Sequence, residues 1–404
     1  MRLLTELIMP INPNLKKAIK RFDFPFFFYD LDGFEKHLRY LNSFMKDGLK
    51  LWYAVKANPH SAILKICRNQ GLGLDVASIG EYQHALSIGV EAKNIIATGP
   101  AKSKKYLSEL LDQGLQTYVI ESFNQLNWLH ELAIAKNIRP QVLIRVQLNW
   151  DGPQDILGGA EITPFGLSLE SWSKLNPKLY PSIDFKGFHV FQWGNILDKA
   201  RLCSLWESTI QTLKGLSQKI QIPLEIVDLG GGLGIPYSEE EPLKFDSLIP
   251  FLKKMKSDFN ISQIWLELGR YAAGPYGLYM NKVIDRKVVR GNNLLVMEGG
   301  INHLARPALT GQAFPCAPFR KSNSPLKKFS VHGPLCTAID KLGVYDLPDD
   351  ISPGDWLCFS QTGAYGLTES MPFFLCHSLP GEAIMYQGHL MTPRTVKSSA
   401  DWLL

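Results

Sequence analysis

Lys56 closes the apolar run Leu51-Trp52-Tyr53-Ala54-Val55. A lysine held in apolar surroundings has its amine shifted toward the neutral, nucleophilic form that Schiff-base chemistry needs. A strand-end lysine that reaches solvent is the plainer alternative. A second feature is Asp228-Leu229-Gly230-Gly231-Gly232-Leu233-Gly234. Glycines let backbone N–H groups come close to a phosphate, although a tight turn would use the same residues. The spacing is not that of the dinucleotide fingerprint, and the acid that should accompany it is missing.

Glu267 stands in LELGRYAAGPYG, with Gly269 and Arg270 after it. An acid there could keep a ring nitrogen protonated, as an electron sink requires, and Arg270 could bind phosphate. An ion pair between the two is the alternative. His189, in GFHVFQW, could stack on a flat ring or be a satisfied core histidine. Cys336 and Asp340 in HGPLCTAID and Tyr365 in TGAYG, taken singly, read as a buried thiol, a turn acid and a core tyrosine.

These residues need elements to position them. Eight short apolar runs occur at 49–58, 72–78, 94–100, 116–122, 141–148, 185–191, 224–230 and 264–269. They are rich in Val, Ile and Leu, as strands buried on both faces should be. Helix-like segments lie between them, several ending in Gly. Eight βα repeats predict a (β/α)8 barrel, whose active site sits at the C-terminal ends of the strands. The runs end on Lys56, Asn58, Asp75, Ser78, Gly99, Glu121, Arg145, His189, residues 230–232, Glu267, Gly269 and Arg270, which are therefore expected on one rim. The connection 149–172 is long and rich in Gly and Pro, a pattern frequent in functional loops. Beyond about residue 275 the apolar pattern alternates and turns recur, which predicts a second, all-β domain. The run FPFFFYD (24–30) is expected to connect the domains. The boundaries expected are 31–275 for the barrel, with 1–30 and 276–404 forming the β domain.

The 404 residues carry a formal net charge of +5, with 45% hydrophobic and 20% charged residues, the profile of a folded globular chain. Basic clusters such as 102–105 and 253–256 read as solvated helix faces. No long basic stripe interleaved with aromatics occurs, which argues against nucleic-acid binding. Six cysteines show neither a CxxC pair nor metal-ligand spacing, so a reduced, cytoplasmic protein without a metal is expected. The first residues lack the pattern of a secretory leader, and no stretch is long and apolar enough to span a membrane.

Taken in order, YAVKAN, GLGLDVASIGE, IVDLGGGLGIPY, LELGRY, GPLCTAID and GAYG resemble the ornithine/diaminopimelate decarboxylase family of pyridoxal-phosphate enzymes, over nearly the whole chain. The resemblance implies an alanine-racemase-like barrel plus β domain and a homodimer with shared active sites. Lys56 would carry pyridoxal 5′-phosphate as a Schiff base, and His189 would stack on its ring. Gly231, Gly232, Gly269, Arg270 and Tyr365 would hold the phosphate side, and Glu267 would face the pyridine nitrogen. Asp75 and Arg145 would support the cofactor face. Cys336, from the partner subunit, would be the proton donor. Thr337, Asp340 and Gln192 would line the substrate.

Two departures stand out. The family commonly reads HVGS where this chain has His189-Val190-Phe191-Gln192, so a serine hydroxyl is missing, with Gln192 or Asn195 as candidate replacements. Decarboxylases of basic amino acids usually carry Asp or Glu after the cysteine, and here Thr337 stands there. A buried ammonium without a partner is costly, so free diamino acids should bind poorly. The wording of GPLCTAIDKLG and GAYGLTES is closer to the branch that includes enzymes acting on carrier-bound aminoacyl groups. A racemase of the same fold, or a non-catalytic regulator descended from a decarboxylase, are the alternatives.

Overall fold

A computed structural model describes residues 13–149 and 162–402. The expectations for the first residues and for half of the 149–172 connection, residues 150–161, thus lie outside the described residues. The chain divides into two compact units, His37–Ile235 with Pro242–Ala272, and the described residues up to Lys36 with Pro236–Glu241 and Ala273 onward.

The first described strand, β1 (Phe26–Asp30), belongs to the latter unit. The former holds β2 (Leu49–Ala54), β3 (Gly73–Val76), β4 (Ile95–Ala97), β5 (Thr117–Ile120), β6 (Gln141–Gln147), β7 (Asp184–His189), β8 (Ile226–Asp228) and β9 (Gln263–Leu268). All eight apolar runs are strands. They pair in parallel in the order β5-β4-β3-β2-β9-β8-β7-β6, and pairing of β5 with β6 closes the barrel. Helices follow the strands, and several of them start on serine caps. Ser78, Ser103 and Ser122 accept from the N–H groups of Glu81, Tyr106 and Gln125, each cap contributing about 1 kcal/mol.

The period of two along each strand sorts the barrel interior into layers. A middle layer packs Trp52, Ile96, Val119, Leu143, Ile226 and Trp265. Two residues further along the same strands stand Thr98, Glu121, Arg145, Asp228 and Glu267, all buried. The apolar layer is thus the floor under a polar one at the C-terminal end. Two residues before Trp52, Lys50 lays its amine 3.8 Å from the Trp52 ring centroid at the opposite end.

The other unit is built on β10 (Gly277–Val289), β11 (Asn292–Met297), β12 (Cys316–Pro318), β13 (Leu326–His332), β14 (Lys341–Pro348), β15 (Trp356–Phe359), β16 (Gly381–Tyr386) and β17 (His389–Arg394). The main path runs β14-β13-β11-β10-β1-β16-β17, with β15 pairing β10 and β12. β1 is antiparallel to β10 and parallel to β16. The expectation that FPFFFYD is a connector is therefore corrected. Phe26 to Tyr29 are all buried, and an extended segment apolar on both faces is stable only inside a sheet.

Candidate active site

Lys56 sits in a single 3-10 turn (Val55–Ala57) that ends β2, anchored by the buried side chains of Val55 and Ala57. Its Nζ lies 3.3 Å from Asp75 Oδ2 and 5.3 Å from the Phe191 ring centroid, and its side chain is 36% exposed. The amine thus faces an acid and an aromatic ring, not the purely apolar enclosure expected from LWYAV. The other Asp75 oxygen accepts from Thr98 Oγ1 at 2.6 Å. Burial and the nearby Glu267 charge push the Asp75 carboxyl up, while Lys56 opposes them.

β7, β8 and β9 bring His189, Asp228 and Glu267 together. His189 Nε2 is 3.0 Å from Glu267 Oε1. Burial pushes the Glu267 carboxyl up, but His189, Lys56 and Arg145 outweigh it and hold it at about 2. Asp228 goes the other way, raised by burial and by Glu267. One of its oxygens accepts from the Gly230 N–H at 2.9 Å. Its other oxygen and His189 Nδ1 are buried without a partner among the described residues. By donor type these three residues, with ligand atoms within 4.8 Å of one another, could hold a metal ion. An ionised acid bonded to an imidazole equally suits a flat ring with a protonated nitrogen, and the lysine and glycine run beside it favour that chemistry.

Arg145 is clamped by Glu121 at 3.1 Å, and its guanidinium lies 4.5 Å from the Phe165 ring centroid. The second Glu121 oxygen accepts from the Gly166 N–H at 3.1 Å. Lys102 completes this node, 3.5 Å from Glu121 and donating to the Gly99 carbonyl. Reading residues 102–105 as a solvated helix face is wrong for Lys102, whose side chain is fully buried. The segment before the helix at Lys104 turns it inward, where Glu121 compensates its charge.

Burial pushes the Lys102 amine down from 10.5 to about 8, against the pull of Glu121. From pH 8 to 10.5 the unfolded chain holds a proton here that the folded chain has released, so stability rises with pH across that window. Lys102→Met removes this contribution. Urea unfolding at both ends of the window should show wild type gaining on the variant by about 3 kcal/mol at most. A difference that stays flat, or shrinks as pH rises, contradicts this account.

Gln192 and Asn195 are already engaged. The Gln192 amide both accepts from the Leu148 N–H at 2.6 Å and donates to the Leu148 carbonyl at 2.5 Å. Asn195 Oδ1 accepts from the Ile235 N–H at 2.9 Å. Gly231 and Gly232 line the run after β8, and Gly269 and Arg270 follow β9 directly.

The remaining expected residues lie in the other unit. Cys336 is exposed and Thr337 half-buried, on a loop fixed by Asp340. The buried Asp340 accepts from the N–H groups of Leu335 and Ile301, both at 2.7 Å. Tyr365 takes a positive φ of 54°, and its ring centroid lies 4.4 Å from the guanidinium carbon of Arg306. Arg306, which pairs with Glu369 at 2.8 Å, carries no mark in the sequence reading, because its partners are 59 or more residues away along the chain.

Residues 31–274 match the family of pyridoxal-dependent decarboxylases, pyridoxal binding domain. The chain is 30% identical, over 95% of its length and 93% of the relative, to L-glutamyl-[BtrI acyl-carrier protein] decarboxylase of Niallia circulans. It is 29% identical, over 88% of its length and 92% of the relative, to 2-[(L-alanin-3-ylcarbamoyl)methyl]-2-hydroxybutanedioate decarboxylase of Staphylococcus aureus. The fold is shared with diaminopimelate decarboxylase from Helicobacter pylori, with a TM-score of 0.86 and 22% identity across 96% of this chain and 98% of that one.

The site fits that family's cofactor. It presents an amine for a carbonyl, an ionised acid beside an imidazole nitrogen unpartnered among the described residues, and a run of glycines directly after a barrel strand. The chain belongs to the pyridoxal-dependent decarboxylases, enzymes that release CO2 from amino acids, and its cofactor is pyridoxal 5′-phosphate.

Proposed function

We propose that the enzyme decarboxylates an aminoacyl group tethered to an acyl-carrier protein, with Lys56 as the residue that holds the cofactor. Bound pyridoxal phosphate supplies the electron sink that lets the α-carboxylate depart as CO2. Lys56 supplies the amine that exchanges with the substrate's amine, and Asp75 keeps that amine directed into the barrel mouth. Glu267, kept ionised by its neighbours, stabilises positive charge at the ring nitrogen, with His189 held beside it by their hydrogen bond. The Gly231 and Gly232 backbone, with Gly269 and Arg270, would receive the phosphate. Arg145, clamped by Glu121, would help support the cofactor face. Cys336, supplied by a second copy of the chain, returns a proton to the substrate carbon. Its exposure on a loop tied down by Asp340 supports that role.

The observation that carries the substrate reading is Thr337. It places no charge where a free diamino acid's distal ammonium would need one, and desolvating that ammonium unpaired is unfavourable. The relative from Niallia circulans, whose substrate is carrier-bound, supports the same reading. The six free thiols support a reducing, cytoplasmic setting. No helix among the described residues is long and apolar enough to cross a membrane.

The test is CO2 release by the holoenzyme from free lysine, ornithine, arginine, diaminopimelate and glutamate, set against aminoacyl groups loaded on an acyl-carrier protein. Turnover of loaded carrier, with the free acids near background, is expected. Fast turnover of free lysine or ornithine with the carrier untouched overturns the reading. A solution mass of one chain would overturn the shared site.

A further inference from the structure

Residues 191–196 run beside the glycine run. Ile196 N–H donates to the Gly232 carbonyl at 2.8 Å, and Gly234 N–H donates to the Ile196 carbonyl at 2.9 Å. Side chains of the same segment cover the glycines. A Cβ on Gly230 would stand 2.5 Å from Phe191 Cδ2, and one on Gly232 would stand 2.4 Å from Trp193 Cδ1. A Cβ on Gly231 would meet both the Glu267 carbonyl, at 2.5 Å, and the Phe191 ring, at 3.3 Å. The glycines are therefore required twice: Gly230 and Gly232 take positive φ of 61° and 91°, and their missing side chains make room for two aromatic rings.

A run of glycines does not hold a phosphate-binding shape by itself, because its free state samples many conformations. Something must restrict it. In HVFQ no hydroxyl reaches the run, and the Gln192 and Asn195 amides are committed to Leu148 and Ile235. Neither the Gly231 nor the Gly232 N–H is used by a protein acceptor among the described residues, so both are open to an anion.

We propose that Phe191 and Trp193 are positioning residues for the cofactor's phosphate, their rings pressing the 230–232 backbone into its anion-binding shape where a serine hydroxyl is missing. This rests on the reading that the glycine run receives the phosphate. Rigid aromatic packing pre-orders the run before binding, and pre-ordering is expressed as affinity.

Apo-protein is titrated with pyridoxal 5′-phosphate and, separately, with pyridoxal, following absorbance. Phe191→Leu and Trp193→Leu keep apolar volume but lose the flat ring. Each should weaken binding of the phosphorylated form by about 10-fold or more while changing pyridoxal binding by less than about 2-fold. Phe191→Tyr should restore the wild-type ratio. Either leucine variant decides the matter if the other does not fold. Gly231→Ala serves as the reference. If it loses the preference for the phosphorylated form while both leucine variants keep it, the aromatic role is refuted and the phosphate reading stands. If Gly231→Ala keeps the preference too, the phosphate does not bind at the glycine run and both fall. Equal weakening toward both probes in the leucine variants would mean a general structural role and would also overturn the proposal.

Discussion

Lys56→Ala should lower CO2 release by on the order of 10³-fold or more, because in the role proposed for it the amine is a covalent participant and not a binding contact. Lys56→Arg separates the two roles of the side chain. Arginine preserves the positive charge 3.3 Å from Asp75 and a cation near the Phe191 ring, yet its guanidinium does not serve as an amine nucleophile. If the charge mattered most, Arg would rescue. The expectation is that Arg fails as completely as Ala, and that both variants lose the absorbance of covalently bound cofactor while Asp75→Asn retains it in weakened form. The loss should fall on kcat, since the rest of the site still binds. Substantial turnover by Lys56→Arg would sink the assignment of Lys56 as the cofactor's attachment point.

How much of this was visible beforehand depends on whether the determining contact is local. The barrel strands declared themselves because each is buried on both faces and its Val, Ile and Leu run is self-evident. The polar layer above Trp52, Ile96, Val119, Leu143, Ile226 and Trp265 was legible in part, since strand-end positions follow from the runs. The same period of two would also have picked out Thr98 and Asp228, each two residues beyond an apolar floor residue. Lys102 was misread because charge clusters near helix starts are normally solvated, and only the return of Glu121 from the next strand makes burial tolerable. That FPFFFYD is a strand of a sheet and not a connector was hidden because its partners, β10 and β16, lie some 250 and 350 residues away in sequence. The glycine run illustrates an incomplete cause. A phosphate-binding role is one reason for glycine that the sequence suggests, but the close approach of Phe191 and Trp193 could be seen only in three dimensions.

Glu267→Gln should reduce kcat by about 10²-fold or more while leaving cofactor binding nearly intact. Glutamine is the same size and can still accept from His189, so the His189–Glu267 geometry at 3.0 Å survives and only the charge is removed. That charge has two effects. In the proposed role it would stabilise a protonated ring nitrogen, without which the electrons released with CO2 would have a poorer sink. It also pushes up the carboxyls of Asp75 and Asp228, after burial the largest influence on each. Removing it should let both titrate lower. An acid limb set by either group in the kcat profile of wild type should therefore move to lower pH in the variant. Glu267→Asp, which keeps the charge but draws it back, should recover part of kcat and return the limb toward its wild-type position. A structural role alone would lower stability without moving the profile. An unshifted limb together with near-wild-type kcat would show that the acid does not act on the ring nitrogen.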